Sequence, residues 1–184
     1  KAPYEKIGYA RPVVLDSNGA WEAVLENAYD IIVTSEINGE DTLSFKIPYR
    51  DGKRGYIDSE KKIQIVDDVY KVRTVTDTRD TDGSAVTEVY AEAEFYDLTF
   101  SVRKEERTFE AEYPETAMAY ALEGTEWSVG TVTVRTQRTW TSTEKNALSI
   151  LRNTADLHGG DLVFDCPNRL VHLLTVNGKD SGAL

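Results

Sequence analysis

In the first half of the chain apolar residues recur at every second position, in short runs broken by turn dipeptides. Ile31, Val33 and Ser35 alternate with Ile32, Thr34 and Glu36, the period of a β-strand. Asn38-Gly39 follows, a pair that tolerates the positive φ of a two-residue type I′ hairpin turn. The strand predicted to return, Thr42 to Tyr49, sets Leu43, Phe45 and Ile47 on one face and Thr42, Ser44 and Lys46 on the other. Pro48 lacks an N–H and is expected to end the ladder. Arg50 to Ser59 reads as a connection with one helical turn. Ile63, Ile65 and Val66 predict a short strand, and Asp67-Asp68 a turn. From Tyr70 to Thr76 the alternation is blurred: Val72 and Val75 fall on opposite faces. Asp80 to Ser84 predicts a second hairpin turn leading into a strand over Ala85 to Ala93. Five or six strands with turns at short spacing predict a small barrel or sandwich. Phe95, Leu98 and Val102 have helical spacing and predict a short helix closing that barrel.

The pattern changes after the charged run Arg103 to Arg107, which sets the expected domain boundary: a β-barrel over 1–103 and an α+β domain over 104–184. Pro114 suits the first position of a helix, where its missing N–H costs nothing. Ala117, Met118, Ala121 and Leu122 give that helix an apolar stripe, and Gly124 can close it. Trp127 to Arg138 is strand-like. Thr141 and Glu144 fit a capping box, so a second helix is predicted from Thr141 to His158, with Leu148, Leu151, Ala155 and His158 on one face. Gly159-Gly160 ends it. Asp161 to Asp165 and Arg169 to Val176 then predict two strands joined through Cys166-Pro167-Asn168. The fold class expected is therefore mainly β with an α+β portion: a small β-barrel followed by an α/β unit.

Charge narrows the function classes. The 32 acidic residues exceed the 21 basic ones, giving a net charge of -11, and the excess is spread evenly. A surface that grips nucleic acid needs clustered Lys and Arg, and no such cluster occurs. No apolar run approaches the ~20 residues of a membrane span. No charged start leads into an apolar stretch and a cleavage site, so no signal peptide is expected. The single cysteine, Cys166, excludes an internal disulfide.

Candidate chemistry is sparse. His158 and His172 are the only histidines, and their spacing matches no metal-ligand motif. His158 falls in the last turn of a predicted helix, where a positive charge would favour the dipole. Cys166 and His172 lie in one predicted hairpin, but nothing nearby would lower the thiol pKa and make the pair a nucleophile. Trp21, Trp127 and Trp140 could stack on sugars; buried tryptophans are more often core. Paired carboxylates for glycoside hydrolysis require a geometry that sequence does not supply. No phosphate-cradling or nucleophile-elbow motif is present. Neither catalytic nor metal residues nor a cofactor are expected.

Several segments carry a resemblance: Pro12 to Asp16, Val24 to Asp30, Glu36-Ile37-Asn38-Gly39-Glu40 with Thr42 to Tyr49, Val86 to Ala93 running into Tyr96-Asp97-Leu98, and Val176-Asn177-Gly178-Lys179-Asp180. In these the chain resembles the N-terminal region of the phage tail-tip hub, or tail-associated protein, of siphophages of Gram-positive hosts, a family labelled prophage endopeptidase tail or phage minor structural protein. The resemblance implies tail-tube-like β-barrels, a homotrimer whose barrels form a ring, and distal tail and tail-tube proteins as partners. It places the protein at the virion tail tip, around the channel through which DNA leaves. Family members are longer, so a fragment is expected. The residues here offer nothing to carry the endopeptidase label. The rival expectations are a cell-wall hydrolase, peptidase or glycosidase, and a carbohydrate-binding module of the tail tip. An acidic channel wall would let DNA slide. Glu36, Glu40 and Asp41, or Asp77, Asp80 and Asp82, are the turn acids expected to supply it.

Overall fold

The computed structural model describes residues 4–5, 10–101 and 104–175. The expectations placed on Val102, Arg103 and 176–184 lie outside the described residues. Strand outweighs helix, 45% to 19%, so the fold is mainly β as the alternation predicts. The chain divides into two compact units, 1–94 and 95–184.

The first unit is a single antiparallel sheet. Its strands are β1 (Tyr4–Glu5), β2 (Val13–Leu15), β3 (Trp21–Val24), β4 (Tyr29–Ser35), β5 (Asp41–Pro48), β6 (Lys62–Ile65), β7 (Asp68–Arg79) and β8 (Ala85–Ala93). They are ordered β1-β4-β5-β8-β7-β6-β2-β3. Setting aside the two-residue β1 at its edge, seven strands curl into a half-barrel. The inner face buries Leu43, Phe45 and Ile47 of β5 with Ile63, Ile65, Tyr70, Val72, Val89 and Ala91. A fully buried Phe, Leu or Ile contributes about 1.5–3 kcal/mol over its exposed state, so this face holds the curl together.

The β4–β5 hairpin forms where predicted, but its turn differs. Asn38 takes a positive φ of 57° and Gly39 does not. The loop is longer than two residues: Gly39 N–H donates to Glu36 O at 3.1 Å and Glu36 N–H to Glu40 O at 2.6 Å. Gly39 is needed for room, because a Cβ there would meet Glu36 Cβ at 2.8 Å. The next turn comes one residue earlier than predicted. Val66 leaves the strand, takes φ 55° and points to solvent, so the turn is Val66-Asp67. The Asp80–Ser84 turn forms as expected, closed by Asp80 N–H to Ser84 O at 2.8 Å, with Gly83 at φ 82°. The Arg50–Ser59 connection holds the expected single turn, a 3-10 helix over Arg54–Tyr56.

The second unit holds β9 (Arg107–Glu112), α1 (Pro114–Leu122), β10 (Ser128–Val132), β11 (Arg138–Ser142), α2 (Ala147–His158), β12 (Asp161–Asp165) and β13 (Leu170–Leu174). β9 and β11 pair antiparallel, and a three-stranded sheet runs β10-β13-β12 with β10 parallel to β13. Pro114 opens α1, Gly124 follows its end at φ 77°, and Ala117, Met118, Ala121 and Leu122 are buried, all as predicted. The second helix is shorter than predicted. Thr141 belongs to β11, where its hydroxyl meets that of Thr108 at 2.9 Å. Asn146 is the N-cap instead, accepting from Ser149 N–H at 2.9 Å. A 3-10 helix runs over Glu94–Phe100. The sequence predicted a helix here closing the barrel. Phe95 instead stacks on Phe164 at 4.1 Å, inside the second unit.

Candidate functional site

The blurred alternation in the sequence has a structural cause. On β7 the register shifts between Val72 and Thr74, leaving Arg73 as an extra residue. Tyr70 and Val72 are buried before it; after it Val75, opposite Val89, takes the inward phase. On β4 the register shifts between Tyr29 and Ile32, and Asp30 takes φ 49°. These are β-bulges, which bend a strand, raise its twist and re-aim side chains. They sit on the two outer strands of the four-strand stretch β4-β5-β8-β7. Between them the outward face hollows into a trough of about 600 Å³ lined by residues that include Asp30, Ile32, Lys46, Thr74, Glu88 and Tyr90.

The register crosses the trough in two rows. Ile32 lies opposite Ser44, Ser44 opposite Tyr90 and Tyr90 opposite Thr74; one step along, Lys46 lies opposite Glu88 and Glu88 opposite Thr76. Ser44 is the small side chain on the two middle strands, and half-exposed Ile32 and Tyr90 flank it. The Tyr90 hydroxyl donates to Glu92 at 3.1 Å, and Glu92 accepts from the bulge residue Arg73 at 3.2 Å. One wall is thereby fixed to a bulge.

Lys46 stands among three carboxylates: Asp80 at 3.2 Å, Asp30 at 3.7 Å and Glu88 at 3.9 Å. The hydrogen bond to Asp80 raises the Lys46 pKa. Backbone N–H donation from Thr81, with hydrogen bonds from Tyr29 and Lys46, holds Asp80 below the usual carboxylate range. Asp80 is the nearest of three carboxylates that share the Lys46 ammonium. Asp30 and Glu88 are more distant and about half exposed, at 54% and 50%.

The turn acids singled out by sequence are mostly engaged. Asp41 accepts from Tyr70 OH at 3.0 Å, and burial raises its pKa. Thr87 and Arg54 hydrogen-bond Asp77 and lower its pKa. Asp82 is lowered by the Ser84 hydroxyl and N–H.

The residues weighed for catalysis are dispersed. His158 is buried at the end of α2. Its Nδ1–H donates to Thr136 O at 2.9 Å, and Thr136 Oγ1 donates back to His158 O at 2.8 Å. The pair straps a helix terminus whose carbonyls would otherwise lack partners. His172 Nδ1 accepts the Thr131 N–H at 2.8 Å, which puts its proton on Nε2. Its ring lies over Gly130, where a Cβ would approach within 2.6 Å. Cys166 sits in the turn between β12 and β13, outside any disulfide, while the His172 ring reaches to β10. No group of three or more His, Cys, Asp or Glu suited to a metal occurs among the described residues. Trp127 is buried, edge-on to Phe164. Trp140 packs on Phe109 at 5.0 Å with its indole N–H buried. Only Trp21 of the three tryptophans is largely exposed, at 69%.

Sequence reasoning missed the trough. Its signal was present in the broken period at Tyr29–Ile32 and Tyr70–Thr76, which marks bulges rather than poor strands. No helix of the described residues is long and apolar enough to cross a membrane.

Two family models match the chain in tandem. The Prophage endopeptidase tail N-terminal domain matches residues 12–93, and the Prophage endopeptidase tail domain residues 101–173. No curated protein matches the chain. Among solved structures, prophage tail protein gp18 from Listeria monocytogenes EGD-e superposes with a TM-score of 0.70 at 13% identity, over 90% of this chain and 50% of its own. The 43 kDa tail protein of prophage MuSo2 from Shewanella oneidensis gives 0.63 at 12% identity, over 96% and 59%. The tail protein from Neisseria meningitidis MC58 gives 0.58 at 12% identity, over 89% and 50%. The chain thus spans half to three fifths of the length of these structures.

Proposed function

Because the chain belongs to the prophage endopeptidase tail family, we propose that, as a structural component of a phage tail, it forms the baseplate hub of the tail tip. In this reading the full-length protein is a homotrimer that joins the tail tube and distal tail proteins to the tip and surrounds the DNA exit channel. The observation that carries the reading is the coincidence of family and fold. The two matched domains fall one in each compact unit and in the family order, 12–93 within 1–94 and 101–173 within 95–184.

The residues support a scaffold rather than an enzyme. His172 spends its Nδ1 lone pair on the Thr131 N–H and His158 is buried at the end of its helix, whereas a general base must reach the proton that it abstracts. The net charge of -11 suits a wall along which DNA slides, since repulsion extends about 8 Å at physiological salt. The test is the mass of the full-length protein in solution by light scattering, with capture of the tail-tube protein of the same phage. The reading expects a trimer that retains the tube protein. A monomer that ignores the tube protein and releases products from peptidoglycan would overturn it in favour of the hydrolase.

A further inference from the structure

The trough between the two bulges is a concave face with a definite chemistry, and it does not depend on where the protein sits in a tail. Its charge is unbalanced. Lys46 is shared by three carboxylates, Asp80 at 3.2 Å, Asp30 at 3.7 Å and Glu88 at 3.9 Å, so one ammonium faces three acids, and Asp30 and Glu88 are the half-exposed two on the hollow. Its walls are apolar and half exposed: Ile32 at 43% and Tyr90 at 39%. Tyr90 is held by Glu92 and, through it, by Arg73, so its ring is placed before any guest arrives. Long basic side chains lay an aliphatic stem on apolar surface and keep the charged head free. A guanidinium also favours an aromatic face and a carboxylate together.

We infer that this trough is a docking site for an arginine-bearing segment of a partner protein. The stem of the guest arginine lies between Ile32 and Tyr90 over Ser44, and its guanidinium meets Asp30 and Glu88. The bulges make the site. The bulge at Asp30 lets Tyr29, opposite Lys46, and Ile32, opposite Ser44, share the outward face although they are three residues apart, and Arg73 pairs with the Glu92 carboxylate that holds the Tyr90 hydroxyl. An acidic partner or a nucleic-acid backbone would meet the same two carboxylates as repulsion, which gives the surface selectivity by charge.

The test uses the 184-residue chain and a fluorescein-labelled hexapeptide of alternating Arg and Leu, with the Glu-Leu hexapeptide as the counter-probe. The Arg peptide is expected to bind, with amide shifts on β4, β5 and β8, and the Glu peptide to leave those signals unmoved. The double variant Asp30→Asn with Glu88→Gln is expected to weaken binding by about tenfold or more, the scale of losing a close charge pair at an interface. Asp58→Asn with Asp67→Asn removes the same charge from exposed positions outside the trough, and is expected to change binding by less than about twofold. Ser44→Arg keeps both acids and supplies a tethered guanidinium, so it is expected to abolish peptide binding while the fold is retained. Absence of binding, equal loss in the two double variants, or shifts confined to other strands would overturn the proposal.

Discussion

Every strand pairing in the first unit is antiparallel, and most join neighbours in sequence through tight turns. The second unit depends on β10 lying parallel to β13, a pairing that brings together Thr131 and His172, 41 residues apart. The first unit dresses its surface with ion pairs about Lys46, Lys53, Arg54, Lys61 and Arg73. The second carries packed rings and cations laid over rings: Phe95 stacked on Phe164, Trp140 tilted against Phe109, Arg107 over Tyr120 and Arg169 over Trp127. The difference separates a sheet whose pairings follow mostly from local turns from a unit whose parallel pairing joins distant segments.

The largest expected effect is in the first unit. Phe45→Ala empties a position 2% exposed at the centre of the curl and is expected to cost about 3–5 kcal/mol. Amide exchange resolved by residue should quicken throughout β4, β5, β7 and β8. Equal quickening in α1 and α2 would mean that the two units do not unfold separately. In the second unit, Gly130→Ala drives a Cβ to 2.6 Å from the His172 ring. Overpacking of this kind costs about 1–3 kcal/mol, and the ring must also give up the Thr131 N–H. The loss should appear as a lowered denaturation midpoint with faster exchange in β10 and β13. Asn146→Ala removes the α2 cap and should cost about 1 kcal/mol, while Thr141→Ala should leave the helix start untouched, because Thr141 lies on β11.

The hairpins could be read from sequence because strand period and turn residues are local signals. That held for Leu43, Phe45 and Ile47, and for Asp80 to Ser84. The parallel pairing of β10 could not be read, since nothing near Val129 or Val132 announces a partner at Leu170–Leu174. The helix start was misplaced because Thr141 and Glu144 satisfy a capping pattern that the β9–β11 pairing overrides. The trough escaped because its cause is two extra residues, Asp30 and Arg73, and a bulge looks like a weak strand to any test of alternation. The places of His158 and His172 on their elements were legible. Their backbone partners, Thr136 and Thr131, were not, because both lie on distant segments.

Acid gives the smallest effect and separates the units by charge. Asp16, Glu26, Asp51, Glu60, Asp77, Asp80 and Asp82 of the first unit are all held below their ordinary values by hydrogen bonds. In the second unit Asp165 is held down by Asn168. A carboxyl lowered on folding contributes fully above its unfolded value, 3.8 for Asp and 4.5 for Glu. The contribution is lost as the pH falls through the folded value. The first unit is therefore expected to soften first below pH 4, read by exchange or by circular dichroism of the sheet. Asp41 has the opposite sign. Burial raises its pKa, so ionising it costs stability above the unfolded value. Asp41→Asn should stabilise the chain at pH 7 and leave it unchanged near pH 3.

Cryo-electron microscopy of phage particles carrying the full-length protein tests the central claim most directly. The account predicts that both units of this chain fit density at the distal end of the tail, in a ring of three copies around the channel. Particles whose tail-tip density does not fit the half-barrel, or tails that assemble complete without the protein, would contradict it.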